Sequence, residues 1–337
     1  MKVLHLNRKP TGALHYSIER VFRDVRGAMD SGITVSYNEC PTAGAGVLKL
    51  LENLRFARAA ATGFDVIHIT GDCHYLALVL PKSKTVLTIH DCGPLTHKTG
   101  VRRFILKYIW FLLPMSRVSR LTVISSSTLA ELGKYVNCRA LAGADIVPNP
   151  VSNSFVPACR AFNKARPRIL QVGTKSNKNI PRLCAALSDI DCELRIVGEV
   201  DAQLREQITS SGVFFTSVSA LSEAALVEEY CNCDIVSLVS TYEGFGLPII
   251  EAQATGRPVV TSSILSMPEV AGLGACLVDP YSVDDIRSAF AKLRDDDIYR
   301  EKVVTAGFEN IRRFSATSIA AAYGKIYTSL LEIKGRR

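Results

Sequence analysis

The sequence lacks the patterns that would place the protein in several large classes. Its ten cysteines form no C-x-x-C pair, and no His/Cys cluster accompanies Cys231 and Cys233. This usage is typical of buried free thiols in a reducing, cytoplasmic compartment. The longest apolar stretch, 104–115, includes Lys107 and Pro114, and it is too short for a bilayer span, which needs about 20 residues. No apolar leader opens the chain, so we expect no signal peptide.

Two further absences narrow the function. No G-x-G-x-x-G follows the first strand pattern, which disfavours a nicotinamide dehydrogenase. No recognised nucleic-acid module accompanies the basic residues, so we expect no nucleic-acid partner. The 337 residues contain no internal repeat and no low-complexity tract. With 47% hydrophobic and 21% charged residues, the composition is that of a folded chain.

Short β-branched segments alternate with helical patterns along the whole chain, as in parallel α/β proteins. The first half has predicted strands at 2–7, 33–38, 64–70, 84–90, 120–125 and 144–148, with helices at 17–30, 46–61, 101–113 and 126–136. The second half has predicted strands at 168–173, 193–198, 213–217, 234–240, 258–262 and 276–279, with helices at 180–190, 201–211, 222–231, 247–255, 282–294, 298–312 and 316–333. The predicted fold class is therefore α/β.

The length suits two domains of about 150 residues each. Periodicity is lost over 151–167, which gathers Pro, Asn, Ser and Arg and is predicted to be a linker. We therefore expect an N-terminal domain at 1–150, a C-terminal domain at 168–312, and a terminal helix at 313–337 that packs back on the first domain.

The densest chemical signal follows the predicted strand 234–240, where the sequence reads STYEGFGLPIIEA. Gly244 and Gly246 allow the backbone to approach a ligand closely, and a helix is predicted to begin directly after them. The N–H groups of residues 246–249 and the helix dipole would then favour a diphosphate. Glu243 and Glu251 can accept hydrogen bonds from sugar hydroxyls. The alternative is a helix N-terminus that carries acids only because its dipole favours them.

These residues resemble the signature of retaining glycosyltransferases of the GT-B fold. The E-x7-E pair from Glu243 to Glu251, within EGFGLPIIEAQATGRPVVTS, is most similar to glycosyltransferase family 4. The resemblance covers most of the chain, more strongly in its second half. It implies two Rossmann-like domains that face each other across a cleft. It also implies a metal-independent transfer of a sugar, with retention, from a nucleotide-sugar to a hydroxyl of a glycan or lipid-linked acceptor. No metal and no cofactor are implied, since the nucleotide-sugar is a co-substrate.

The resemblance also assigns residues to the site. Glu243 is placed at the reacting sugar and Glu251 at the ribose, while Lys178 neutralises the diphosphate. His90, which ends the predicted strand 84–90, contacts the donor sugar. The alternatives are that His90 is purely structural and that Lys178 is a solvated loop lysine. The catalytic residues expected are Glu243, His90 and Lys178, and the donor-binding residues expected are Gly12, Gly173, Thr174, Lys175, Lys178, Gly198, Gly244, Phe245, Gly246, Leu247 and Glu251.

The match departs from the family pattern at two places. Thr174 stands where the family has an arginine, and whether Lys175 replaces it stays open. Only Gly12 remains of a richer glycine loop. The alternatives are therefore a catalytically silent relative that binds nucleotide-sugar or glycan, and a sugar-nucleotide epimerase of the same fold.

Positive charge is concentrated in the first half of the chain. Residues 1–150 hold 19 Lys and Arg against 10 Asp and Glu, a net charge of +9, whereas the rest carries −1. The segment 98–120 mixes basic with large apolar residues. It predicts either a helix on an anionic membrane surface, with Arg102, Arg103 and Lys107 beside Trp110, or an ordinary helix packed on the sheet. The first alternative would make the protein cytoplasmic and peripheral on the inner face of the membrane.

Overall fold

The computed structural model describes residues 1–10, 17–44 and 46–335. They form two compact units. One unit comprises Met1–Pro150 together with the segment that starts at Ala316, and the other comprises Val151–Ser315. Each unit contains a six-stranded sheet whose strands are all parallel. The predicted α/β class with two Rossmann-like units is confirmed.

The strands of the first unit closely match those predicted. They are β1 (Lys2–Asn7), β2 (Thr34–Glu39), β3 (Val66–Ile69), β4 (Thr85–Ile89), β5 (Arg120–Val123) and β6 (Asp145–Ile146), in the sheet order β2-β1-β3-β4-β5-β6. Both β3 and β4 are buried along their whole length. Helices that cover both sides of a parallel sheet bury both faces of its inner strands, and here polar His68 and Thr88 are buried along with the apolar residues.

The helices of this unit, numbered along the chain, include several short ones. They are α1 (Ser17–Gly27), α2 (Val47–Ala60), α3 (Gly93–His97), α4 (Gly100–Ile105), α5 (Leu113–Ser116), α6 (Ser126–Tyr135), α7 (Arg139–Ala142) and, at the C-terminal end, α15 (Ala316–Gly335). A π-helical stretch, Leu106–Leu112, connects α4 to α5. The sequence pattern did not predict α3 or α7, since helices of four or five residues are too short to show a period.

A buried polar network attaches α15 to the first sheet. The Tyr327 hydroxyl is hydrogen-bonded to His5 Nε2 at 3.0 Å and to His68 Nδ1 at 2.7 Å. The other His68 nitrogen, Nε2, meets the Thr88 hydroxyl at 2.7 Å. Both imidazoles are fully buried. Burial lowers the pKa of His5 to about 3, with a smaller contribution from the Arg26 guanidinium, and burial likewise lowers the pKa of His68.

The second unit has the strands β7 (Arg168–Val172), β8 (Glu193–Val197), β9 (Phe215–Val218), β10 (Ile235–Leu238), β11 (Val259–Ser262) and β12 (Cys276–Val278). Its helices are α8 (Ile180–Leu187), α9 (Ala202–Ser210), α10 (Glu223–Cys231), α11 (Leu247–Ala254), α12 (Met267–Ala271), α13 (Val283–Asp295) and α14 (Asp297–Asn310). The sheet order, β12-β11-β10-β7-β8-β9, is the Rossmann order. The chain reverses its direction of winding between β7 and β10, and ligands of such sheets bind at that point.

The segment 151–167, predicted as a linker, forms no helix or strand and lies in the second unit. The buried Asp234 carboxylate holds it there, because its oxygens accept hydrogen bonds from the backbone N–H of Asn163 at 3.0 Å and of Arg168 at 2.8 Å. The Arg160 guanidinium pairs with the same carboxylate at 3.4 Å. The boundary of the second unit therefore falls at its first residue, Val151, rather than at 168.

The neutral histidines make the first unit sensitive to acid. An unfolded histidine takes up its proton near pH 6.5, whereas buried His5 and His68 stay neutral to much lower pH. The native state therefore binds fewer protons, and its stability falls as the pH drops below 6.5. We expect each of these two histidines to lower the free energy of unfolding by about 2 kcal/mol as the pH falls from 7 to 5. Urea unfolding followed by the fluorescence of Trp110, the single tryptophan, measures this in the first unit.

The variant His68→Gln isolates one of these groups, since its amide does not titrate. It should reduce the pH dependence by about 1.4 kcal/mol per pH unit below pH 6.5. The matched control is Thr88→Val, which removes a hydroxyl from the same network but no titrating group. Thr88→Val should lower the stability at every pH and keep the slope. An unchanged slope in His68→Gln would show that this histidine does not govern the acid response.

Candidate functional site

Two loops meet at the carboxyl edge of the second sheet, where β7 and β10 lie side by side. One loop, 173–179, follows β7 and leads to α8, and the other, 239–246, follows β10 and leads to α11. Neighbouring parallel strands end at the same edge, so residues far apart in the chain become neighbours there. Both segments that the sequence singled out in this unit as donor elements are thus in contact.

The loop after β7 begins at Gly173, whose φ of +89° favours glycine. A Cβ at this position would lie 2.8 Å from Lys178 Cε, so glycine leaves room for the lysine chain. A 3-10 turn, Ser176–Lys178, then leads to Asn179 in the left-handed conformation. The Asn179 amide donates to the carbonyls of Val239 at 3.0 Å and Pro280 at 2.7 Å. This buried amide attaches the turn to the neighbouring loops.

Asn177 joins the two loops directly. Its carbonyl accepts a hydrogen bond from the Thr241 N–H at 2.8 Å, and its side-chain amide donates to the Tyr242 carbonyl at 2.8 Å. These bonds set the distance between Lys178, which follows Asn177, and Glu243, which follows Tyr242.

Lys178 and Glu243 form an ion pair, with 2.7 Å between Nζ and Oε1. The Ser240 hydroxyl donates to the same carboxylate oxygen at 2.7 Å. Both side chains of the pair are 14% exposed, so each charge is partly removed from water but open to a ligand. The structure thus brings together two of the three residues expected to be catalytic, from loops 65 residues apart in the chain.

The N-terminus of α11 lies directly after these groups. Gly246 has φ of +100°, and a Cβ there would lie 3.0 Å from Ile249 Cδ1. The expectation that the amides of 246–249 all face a ligand needs one correction. The Ile249 N–H is bonded to the Gly246 carbonyl at 2.9 Å, and Pro248 has no N–H. From that set, only Gly246 and Leu247 have amides that can serve a ligand.

The other predicted residues of the two loops and of the end of β8 have different surroundings. Phe245 is buried with its ring edge-on to Phe314 at 5.7 Å, so the ring supports the loop from beneath. Thr174 lies against Gly198, where a Cβ would be 2.9 Å from Thr174 Cγ2. These two residues lie just after the ends of the adjacent strands β7 and β8. Lys175 is exposed, and its role as a substitute for the family arginine remains a prediction.

Glu251 lies on the second turn of α11 and is only 2% exposed. Its Oε2 accepts a hydrogen bond from the Tyr230 hydroxyl at 2.6 Å. Tyr230 is fully buried on α10, and its ring packs edge-on to Phe155 at 5.3 Å. The tyrosine thus holds a carboxylate that the sequence identified, through a contact that the sequence did not predict. A buried carboxylate with a short charge-assisted bond is oriented rather than free to rotate.

In the first unit, His90 follows β4 and is 5% exposed. Its Nε2 is 2.9 Å from the Thr70 carbonyl, so this nitrogen carries the proton. Burial raises the pKa of the adjacent Asp91, with the Asp72 carboxylate adding to the effect. Gly12 lies outside the described residues.

Sequence reasoning missed the polar side chains that support the loops. The Ser266 hydroxyl donates to the carbonyls of Glu243 at 3.0 Å and Phe245 at 3.1 Å, and the Ser262 hydroxyl donates to Ser240 at 2.6 Å. Nothing in the local sequence distinguishes these serines from turn residues. Their contacts appear only once β11 and the segment that follows it lie beside the loop after β10.

A known protein family matches the second unit. Residues 157–310 match the family of glycosyl transferases, group 1. The chain is also similar to the serotype-specific mannosyltransferase WbdA of Escherichia coli, with 26% identity over 277 residues, covering 74% of this chain and 34% of that protein. The chain spans only 20% to 34% of the length of curated relatives such as WbdA and the O-antigen chain mannosyltransferase B of Escherichia coli.

Solved structures share the whole fold. Sucrose-phosphate synthase from Thermosynechococcus elongatus superposes with a TM-score of 0.80 at 18% identity, covering 99% of this chain and 100% of that one. HepE of Anabaena, in complex with UDP and glucose, superposes with a TM-score of 0.76 at 18% identity, covering 98% and 100%. At this level of identity the likeness shows the two-domain Rossmann-like fold.

No helix within the described ranges is long and apolar enough to cross a membrane.

The bond from Tyr230 to Glu251 can be tested through local stability. The variant Tyr230→Phe keeps the ring packing but removes the donor, which should cost about 1.5–3 kcal/mol because the acceptor is a buried carboxylate. We expect amide hydrogen exchange in α10 and α11 to become at least tenfold faster. Tyr281→Phe, at an exposed ring of the same unit, is the matched control. Equal exchange in the two variants would show that the bond contributes nothing.

Proposed function

We propose that the protein is a retaining, metal-independent glycosyltransferase of family 4, with the E-x7-E pair in its site. It would move a sugar from a nucleotide-sugar donor to a hydroxyl of a glycan or lipid-linked acceptor, in the synthesis of a cell-surface polysaccharide or glycoconjugate. The observation that carries the proposal is the contact of Lys178 with Glu243 beside the N-terminus of α11. A lysine and a helix N-terminus at one place suit the charge of a diphosphate. The family match over 157–310 supports this interpretation.

Donor binding would exchange one ion pair for another. The diphosphate would replace Glu243 as the ion-pair partner of Lys178. The Glu243 carboxylate, still hydrogen-bonded to the Ser240 hydroxyl, would then accept a hydrogen bond from a hydroxyl of the sugar. Neither partly buried charge is left without a partner in either state, which avoids the cost of an uncompensated charge. Glu251, held by Tyr230, is the proposed acceptor for a ribose hydroxyl.

The chemical step follows from the placement of charge. As the bond from the anomeric carbon to the diphosphate oxygen breaks, negative charge grows on the leaving group. Lys178 and the dipole of α11 stabilise that charge. The acceptor oxygen bonds to the anomeric carbon on the face that the leaving group vacates. The acceptor proton passes to the leaving phosphate oxygen. The products are the retained glycoside and a nucleoside diphosphate, and no protein base is required.

The transfer reaction itself can be tested with the full chain. We expect nucleoside diphosphate to be released from GDP-mannose or UDP-glucose in the presence of a panel of glycan and lipid-linked acceptors. GDP-mannose comes first because WbdA is named a mannosyltransferase, and UDP-glucose second because HepE was solved with UDP and glucose. Turnover should persist in EDTA, and the product should keep the anomeric configuration of the donor by NMR. Glu243→Gln should lower kcat by about 100-fold.

Each part of the proposal has its own contradicting outcome in this assay. Loss of activity in EDTA would overturn metal independence, and an inverted product would overturn retention. Donor consumed at the same rate without an acceptor, with a changed sugar in the product, would indicate an epimerase. Nucleotide binding without turnover of any donor would indicate a catalytically silent relative.

The phosphate role of Lys178 has a separate test in binding. Lys178→Ala should weaken the affinity for a nucleoside diphosphate by tenfold or more and leave the affinity for the bare nucleoside nearly unchanged, because the lysine contributes only when phosphates are present. Isothermal titration with both ligands measures this. Lys175→Ala, in the same loop, shows whether that lysine replaces the family arginine. Equal losses for both ligands in Lys178→Ala would place the lysine elsewhere.

A further inference from the structure

The segment that joins β4 to β5 exposes an unusual amount of apolar surface. From Gly100 to Ser116 the chain is helical throughout, as α4, the π-helical stretch and α5. Its inner side is buried through Phe111 and Met115. Its outer side consists of large apolar residues, with exposed fractions of 75% at Val101, 61% at Phe104, 48% at Ile105, 41% at Ile109 and 46% at Leu113. Four of the five are spaced four residues apart and form one stripe.

The inner side is held firmly, so the stripe is not a frayed end. Pro114 cannot donate to the carbonyl of Trp110 one turn earlier. His74 Nδ1 is bonded to that carbonyl at 2.9 Å. The Trp110 indole N–H donates to the Asp72 carbonyl at 2.8 Å, and its ring packs on Tyr75 with 4.8 Å between centroids. This corrects the expectation that Trp110 accompanies the basic residues outward, because it is part of the inner attachment.

Cations accompany the stripe and carboxylates are missing from it. Between residues 92 and 130 the sequence has six Lys and Arg and no Asp or Glu. Arg102 and Arg103 are exposed beside Phe104. Among the described residues, no acidic side chain pairs with either arginine. A stable helix with an apolar outer stripe and unpaired cations along it has the features of an interfacial membrane helix.

A second apolar turn is attached to the same inner segment. Val47 and Leu48, in the first turn of α2, are 74% and 82% exposed. On the inner side of α2, the Asn53 amide donates to the Tyr75 hydroxyl at 2.8 Å. Tyr75 therefore contacts both α2 and the ring of Trp110.

We propose that the outer stripe of residues 100–116 docks on an anionic lipid surface. Phe104, Ile105 and Ile109 enter the boundary between headgroups and acyl chains, while Arg102 and Arg103 contact anionic headgroups. A lipid surface suits this stripe better than a protein partner does, since all its fixed charge has one sign and its apolar groups need no matching shape. The inference goes beyond the proposed sugar transfer and does not depend on the donor site.

Vesicle co-sedimentation with the full chain tests this directly. We expect binding to vesicles of phosphatidylcholine and phosphatidylglycerol to exceed binding to phosphatidylcholine alone by tenfold or more, and to weaken in high salt as screening increases. The double variant Arg102→Glu with Arg103→Glu should lose at least tenfold in partition coefficient. Phe104→Ser with Ile105→Ser should lose binding to both kinds of vesicle.

The matched control is Lys302→Glu with Arg312→Glu, which makes the same change in net charge at exposed positions of the second unit. It should bind anionic vesicles like the unmodified protein. Equal losses in the two charge variants, or binding that ignores lipid charge, would overturn the proposal. So would a dimer in light scattering that Phe104→Ser with Ile105→Ser dissociates, because the stripe would then contact a second copy. Nucleoside diphosphate binding, measured on the same samples, reports separately on the donor site.

Discussion

The carboxyl edge of a parallel sheet is the constraint on which the site depends. Strands that run in the same direction end together, so the loops that follow them must share one edge however far apart they lie in the chain. In the second unit the reversal of winding between β7 and β10 leaves two such loops side by side. The contact of Lys178 with Glu243 is a direct consequence, and so is the position of both beside the N-terminus of α11.

Polar side chains then convert this closeness into a defined geometry. Asn177 and Asn179 donate hydrogen bonds to backbone groups of the neighbouring loop, while Ser266, in the segment between β11 and α12, supports the same loop. Because these contacts are between side chains and backbone, they position the loops without depending on which ligand is present. Tyr230 does the same for a single carboxylate, that of Glu251. A site whose groups are held in place before binding loses less freedom when a ligand arrives.

The first unit uses its buried polar groups for a different purpose. The Tyr327 hydroxyl meets two histidines from different strands, so a shift of α15 along its axis would break both hydrogen bonds. An apolar contact would tolerate such a shift. Buried nitrogens that lose their hydrogen-bond partner would instead lower the stability of the folded unit. The cost is that both imidazoles must remain neutral, as the lowered pKa values of His5 and His68 show. The two ends of the first unit's sequence are thereby joined in its core.

The sequence alone determined the strands and the longer helices, and it singled out the two loops that form the candidate site. Strong periodicity located the strands and the long helices to within a few residues, and the glycines around Glu243 marked a helix N-terminus at a strand end. Only the tertiary structure decided the partners of those residues. The bond from Tyr230 to Glu251, the inward attachment of Trp110 and the inclusion of 151–167 in the second unit each join residues that no local pattern relates. Periodicity reports which face of an element is buried, but a hydrogen bond depends on where a second, distant segment places its donor, and that position exists only once the sheet has formed.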